Sequence, residues 1–377
     1  MRIAFVALGY APLRMSGLDI SGERLVKGLL ETGHEVTVVA ARRQPLAEIV
    51  QHPRLNIQRL PIGKSNWIGY CLHVAQFLQN VTARQNFDVI HFWDVQFAYA
   101  YSGIYVASLH QSFAQRIACL PPSWNAPAQW LYYQTARFFT ERRSVARAKG
   151  LLAVSATTQQ AFAREYHLDP ARLALTRHGI DQSVFRRVPD TASLRAQLGI
   201  APEERVILFS GFITLRKGLS YLARVLPQIT PPVRLVITGR WTESARRRFR
   251  QELGPAANRV VEAGFVPDNQ LPSYYSLADL YVSASVLEGF GLPLAEALAC
   301  ATPVVAFDVG ATAEVVGPGG IVVPPRNTLR MAQAINQLLG DAERRSSLAQ
   351  LGRAHVTRHF DMAQMIRDTL AAYARFA

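Results

Sequence analysis

The chain has 377 residues, 49% of them hydrophobic and 18% charged, with a formal net charge of +14. That length exceeds one ordinary core and suits two domains of roughly 180 residues each, and the apolar content excludes a disordered chain. The positive charge is spread nearly evenly over both halves, so it calls for an anionic partner without choosing among nucleotides, anionic lipid and nucleic acid.

In chain order, "MRIAFVALGYAP" is a short apolar stretch broken at Gly9 and Pro12, which suits a buried strand better than a secretion signal. "RIAFVAL", "EVTVVA", "FDVIHF", "IYVASL" and "LLAVS" read as strands of a parallel sheet buried on both faces. Helical patterns separate them, including Ser21 to Thr32 closed by Gly33 and a long one from about Pro127 to Ala148. After a link around "FRRVPDTASLRAQLGIAPEE" the alternation restarts with "RVILFSG", "VRLVITG", "RVVEAG", "LYVSA", "PVVAF" and "GIVV". The expected fold is α/β: two doubly wound Rossmann-like domains, residues 1–185 and 186–377, facing across a cleft, with the last helix a candidate to pack back on the first domain. The longest apolar runs fall far short of the roughly 20 residues that span a bilayer. Cys71, Cys119 and Cys300 share no metal or redox spacing, which points to a reduced, cytoplasmic protein.

In such sheets ligands sit beyond the carboxyl ends of the strands, so the informative residues lie just after them. The first of these loops, "GYAPLRMSG", is not G-x-G-x-x-G, and no G-x-x-x-x-G-K-[ST] occurs, which counts against dinucleotide oxidoreductases and P-loop ATPases. No D-x-D pair and no His/Cys cluster indicates a bound metal.

The stretch "LEGFGLPLAEALACATPVV", residues 287–305, carries two glutamates around a turn. A helix starting at Pro293, whose fixed φ and missing N–H suit a first helical position, leaves Glu288 in the loop and puts Glu296 in the first helical turn. Backbone N–H groups around Phe290, Gly291 and Leu292 then form an anion site, with Gly291 permitting close approach. Carboxylates on either side accept hydrogen bonds from hydroxyls flanking a bound phosphate, the layout of a nucleotide sugar. Taken singly, Glu296 is as well read as a helix-dipole charge and Glu288 as a solvated loop residue.

In "FSGFITLRKGLS" a strand ends at Gly211, and Arg216 and Lys217 arrive just before a helix near Gly218. A guanidinium fork and an ammonium above a strand end suit a diphosphate, although a solvated basic pair is the commoner fate of such a dipeptide. "ESARRRFRQEL" has more arginine but reads as a surface helix facing solvent.

With these motifs in hand, the sequence resembles the retaining nucleotide-sugar glycosyltransferases of the GT-B fold, in particular family 4. Glu288 and Glu296 reproduce its E-x7-E signature, and "SGFITLRKG", "VVEAGFVPDNQLPSYYSLADLYVSAS" and "GATAEVVGPGGIVVPP" follow in the family's order, with "SGERLVKGLLETGHEVTVV" matching its opening. The resemblance spans nearly the whole chain. It implies that Glu296 holds the ribose and Glu288 touches the donor sugar. It places backbone of Phe290, Gly291 and Leu292 at sugar and phosphates, Arg216 and Lys217 on the diphosphate below Gly211, and Phe265 with Val266 beside the base. His110 falls where the family has a histidine facing the transferred sugar. It further implies transfer with retention, a nucleotide-diphosphate sugar as donor substrate and no obligatory metal. There are departures: Ser16 and Gly17 stand where members often have Gly-Gly near the donor phosphates, Phe212 stands where many have arginine, and His178 in "RHGID" replaces a usual asparagine. Nothing in the sequence accounts for His178.

The acceptor is expected to be a glycan, a lipid-linked sugar or a small molecule. "SWNAPAQWLYYQTARFFTERRSVARAK", residues 123–149, crowds aromatic residues among Arg137, Arg142, Arg143, Arg147 and Lys149. Such a stretch suits a peripheral contact with anionic lipid on the inner face of a membrane, or a helix packed on its domain with one face solvated. Nucleic acid is not expected as a partner, since only charge suggests it and no recognised binding motif is present. A GT-B-type sugar-nucleotide epimerase is the other enzyme reading.

Overall fold

In the computed structural model every apolar run read as a strand is one, and all pair in parallel. Residues 1–11, 17–42, 51–62, 67–83, 86–119 and 126–376 are described; Pro12 and Ser16 of the first loop and residues 123–125 of the aromatic and basic stretch lie outside them. The first sheet comprises β1 (Arg2–Val6), β2 (Glu35–Arg42), β3 (Leu55–Pro61), β4 (Val89–Phe92), β5 (Val106–Leu109), β6 (Gly150–Ala153) and β7 (Leu173–Leu175), in the order β3-β2-β1-β4-β5-β6-β7. The second comprises β8 (Arg205–Ser210), β9 (Val233–Thr238), β10 (Val260–Gly264), β11 (Leu280–Ser283), β12 (Val304–Phe307) and β13 (Gly320–Val323), in the order β10-β9-β8-β11-β12-β13. Both sheets run outward from their first strand in two directions, so each has a switch point, between β1 and β4 and between β8 and β11, where neighbouring connections diverge and ligands bind.

Sequence reading missed two strands, both at sheet edges. β3 alternates half-buried polar and apolar residues and ends on a proline, as edge strands tolerate, and β7 has only three residues.

The chain divides into two compact units, residues 1–178 with 363–377 and residues 179–362. The boundary precedes the expected one at 186 by a few residues, and the first unit reclaims the chain's end. Its helix Met362–Phe376 lies close enough that a Cβ on Gly28 would strike Ile366 and one on Gly150 would strike Phe376. The hydroxyl of Tyr373 meets Nδ1 of His91 in β4 at 2.7 Å. Each unit has its own core, built around Phe92, Tyr70 and Leu151 in the first and around Phe209, Phe249 and Phe307 in the second.

The long pattern from Pro127 to Ala148 is not one regular helix. Helix Ala126–Ala136 passes through a π turn, Arg137–Glu141, into helix Arg142–Arg147. The π turn inserts a residue and rotates the helix. Glu141 is thereby buried, accepting hydrogen bonds from the Phe113 backbone N–H at 3.1 and 3.2 Å and from the Tyr166 hydroxyl.

Candidate active site

The loops at the second switch point carry the residues that the glutamate and Arg-Lys motifs singled out. After β8 the chain crosses Gly211, at φ +141°, makes a 3₁₀ turn over Leu215–Lys217, and enters helix Leu219–Val225 through Gly218 at φ +70°. A Cβ on Gly218 would land on the Ala284 carbonyl, so glycine there lets this loop press against the one leaving β11. Val286 N–H donates to the Arg216 carbonyl at 3.0 Å, and the Arg216 guanidinium donates to the Leu287 carbonyl.

This contact joins the two motifs. Lys217 Nζ donates to Glu288 Oε1 at 2.6 Å, and Arg216 Nη1 lies 3.9 Å from the other carboxylate oxygen. Burial alone would raise the Glu288 carboxyl, but the ammonium of Lys217 and then the guanidinium of Arg216 hold it below the usual carboxylate range. Burial lowers the Lys217 ammonium, against the opposing pull of Glu288. Two residues read from sequence as serving different parts of a ligand are therefore one buried ion pair, and each keeps the other charged.

The second glutamate differs from expectation in one respect. The helix begins at Leu292, not Pro293, with Gly291 as its cap at φ +96°, so Glu296 is its fifth residue and lies past the first turn. It is buried and accepts a hydrogen bond from the Tyr275 hydroxyl at 3.0 Å. The dipole reading of Glu296 weakens accordingly, because that effect fades beyond the first turn. Phe290 and Leu292 are buried, and the Phe290 ring meets Phe360 edge-on at 5.2 Å.

Phe265, just after β10, is 59% exposed, while Val266 beside it is buried. The guanidinium of Arg240, which follows β9, sits 4.5 Å above the Phe265 ring. Sequence reading missed Arg240, because the contact joins two loops that only the sheet order brings together. The arginine-rich helix Glu243–Leu253 buries Ala245, Phe249 and Leu253, and its Arg246 and Arg250 pair with Glu262 and its Arg248 with Glu252.

In the first unit, Gly17 is the exposed first residue of helix Gly17–Glu31. His110, directly after β5, is buried; its Nε2–H donates to the Trp93 carbonyl at 2.6 Å. That bond fixes the tautomer and leaves Nδ1 as an acceptor. His178 stacks on His110 with ring centroids 5.4 Å apart and 24° between planes, and Trp93 packs against both rings. The residue without a sequence rationale is thus the flat support of His110. No sequence signal marked the pair, since 68 positions would have to be bridged by fold alone.

Burial holds His91 and His110 at about 3 and pushes His178 well below its usual value. Unfolded, each takes up a proton near 6.5, so the stability they contribute is complete above that pH and is lost as pH falls toward 3. Glu141 works in the opposite sense: burial raises it to about 8, so its contribution is complete below 4.5 and lost as pH rises through 8. With four lowered imidazoles, the partly buried His34 among them, outweighing the raised carboxyls of Glu141 and Asp94, the first unit is expected to be most stable near pH 6.5, with each buried histidine contributing about 1.4 kcal/mol per pH unit on the acid side. Melting curves across pH check this; no fall in midpoint between pH 6.5 and 4.5 would mean that these rings are not buried neutral. Glu141→Gln should remove the alkaline decline.

Two family models match the chain. "Glycosyltransferase Family 4" covers residues 15–184 and "Glycosyl transferases group 1" covers 190–355. The chain is 25% identical to an uncharacterized glycosyltransferase of Methanocaldococcus jannaschii, over 99% of this chain and 98% of the relative. It superposes on sucrose-phosphate synthase from Thermosynechococcus elongatus with a TM-score of 0.82 at 22% identity, over 99% of this chain and 98% of that one. On Anabaena HepE, solved in complex with UDP and glucose, the TM-score is 0.78 at 20% identity, over 99% of both chains.

Proposed function

We propose, for a chain that belongs to glycosyltransferase family 4 and has the GT-B fold, the transfer of a hexosyl group from a nucleoside diphosphate sugar to an acceptor hydroxyl. The reaction proceeds with retention at the anomeric carbon, in the cytoplasm, toward a glycan, polysaccharide or glycolipid. The observation that carries this reading is the pairing of Lys217 with Glu288 beside Arg216, at the switch point between β8 and β11.

As the bond from the anomeric carbon to the diphosphate breaks, the bonding pair leaves with the phosphate oxygen, the acceptor oxygen bonds to the same face of that carbon, and the acceptor's hydroxyl proton passes to the departing diphosphate. Negative charge grows on the leaving group, and Lys217, Arg216 and the helix start at Leu292 stabilise it. Glu288 has two tasks: it keeps Lys217 ionised despite burial and offers an acceptor to a sugar hydroxyl. Glu296 accepts from the ribose diol and Phe265 and Arg240 flank the base; in the first unit, neutral His110 keeps Nδ1 as an acceptor for a sugar hydroxyl. Glu288 and Glu296 flank one turn and so do not face each other as the acid and base of a glycosidase.

Thermal shift against uridine, guanosine and adenosine diphosphate sugars tests the donor class, and HepE's complex with UDP and glucose makes UDP-glucose the first to try. Product analysis must then show a new glycoside; an isomerised sugar nucleotide alone would mean epimerisation. Because side-chain and helix charge neutralise the diphosphate in this scheme, turnover is expected to survive EDTA. Complete loss, restored by magnesium or manganese, would show the electrostatic assignment to be wrong.

A further inference from the structure

The first unit exposes five large apolar side chains within ten residues: Trp130, Leu131, Tyr132, Phe138 and Phe139. Leu131, Phe138 and Phe139 are 59, 60 and 66% exposed, values that a helix packed on its own domain has no reason to reach at three positions so close in the chain. The exposed side of the segment continues through the π turn into Arg142, Arg143 and Arg147. None of these three arginines makes an ion pair among the described residues, in contrast to Arg246, Arg248 and Arg250 of the second unit, which all do. The only acid of the stretch, Glu141, points inward and is buried. A recess of about 590 Å³ lies beside Phe138, lined also by Arg137, Arg142 and Arg172. Arg137 is committed to Glu165, and Arg172 to the carbonyls of Val145, Ala146 and Ala148. Of the three arginines lining the recess only Arg142 is uncommitted, which makes it a poor closed anion site, and Arg143 and Arg147 are exposed outside it.

We propose that this face, from Trp130 to Arg147, is a docking surface for an anionic lipid bilayer. Trp and Tyr side chains settle at the level of the head groups, where an apolar ring and a polar edge are both accommodated, and Phe and Leu enter the apolar layer just beneath. The arginines behind them meet lipid phosphates, with Arg142 bridging the two ends of the face by its place 5.8 Å over the Phe138 ring. Charge complementarity selects this occupant: an apolar stripe followed by unpaired cations with no exposed acid matches a negatively charged apolar interface, whereas a protein surface would offer mixed signs. The surface is independent of the donor chemistry and stands or falls without it.

Co-sedimentation with phosphatidylglycerol-rich vesicles and with pure phosphatidylcholine vesicles tests the assignment on the full chain. The parent should bind the anionic vesicles and largely remain in solution with the neutral ones. Arg142→Gln/Arg143→Gln/Arg147→Gln should weaken anionic-vesicle binding about fivefold for each arginine that reaches the surface. Phe138→Ser/Phe139→Ser should weaken it about tenfold or more per ring withdrawn from the apolar layer. Arg247→Gln/Arg248→Gln, on the arginine-rich helix of the second unit, should change nothing. Circular dichroism and melting of each variant confirm folding; these are exposed positions, so folded variants are expected. Equal sedimentation of parent and both first-unit variants would overturn the proposal. So would an equal loss in the second-unit control, which would reduce the effect to net charge, or a parent that self-associates through this face without vesicles.

Discussion

Lys217→Ala is expected to destabilise the second unit by about 3 kcal/mol, because it leaves the buried Glu288 carboxylate with only the more distant Arg216 guanidinium. Turnover should fall by about 100- to 1,000-fold, the usual cost of removing one preorganised group that meets developing charge. Donor affinity should fall by less, since the leaving diphosphate carries more charge in the transition state than in the ground state. The two effects separate in a double variant. Lys217→Ala/Glu288→Gln has no orphaned charge, so its melting temperature should recover much of what Lys217→Ala loses, while turnover stays low. A single variant as active as its parent would dismiss the leaving-group role. Recovery of both stability and turnover in the double variant would make the pair structural.

This ion pair also marks how far sequence could reach. Glu288 was legible because strand, glycine turn and Pro293 follow one another in a short stretch, and Arg216 with Lys217 because the same grammar repeats after β8. That the two stretches touch depends on β8 and β11 being hydrogen-bonded neighbours, which follows from sheet order and is written in neither segment. The strands buried on both faces announced themselves as apolar runs, whereas β3 and β7 did not, since an edge strand with polar alternation and one of three residues carry little signal. The support of His110 by His178, and of Phe265 by Arg240, joins loops from different strands. The π turn at Arg137–Glu141 was likewise hidden, because a helical period continues on either side of it and only the inward turn of Glu141 reveals the extra residue.

Glu296→Ala is expected to weaken nucleotide binding more than any other single change at the second switch point. A ribose diol offers two donors, and each lost hydrogen bond to a charged acceptor costs about 1.5 to 3 kcal/mol, roughly tenfold or more in affinity. The carboxylate is held in place: it is buried in the second turn of helix Leu292–Ala299, where the helix N-terminus contributes little to its energy, and the Tyr275 hydroxyl donates to it at 3.0 Å. That hydroxyl supplies the control. Tyr275→Phe removes one donor to Glu296 while leaving the carboxylate in place, so nucleotide affinity should fall far less than in Glu296→Ala although both variants disturb the same packing. Calorimetry with the nucleoside diphosphate that thermal shift identifies measures both. If Tyr275→Phe costs as much affinity as Glu296→Ala, the glutamate acts only through the packing it shares with Tyr275. If Glu296→Ala binds as the parent does, Glu296 is removed from the donor site, and the second carboxylate of the turn belongs to the fold of the second unit alone.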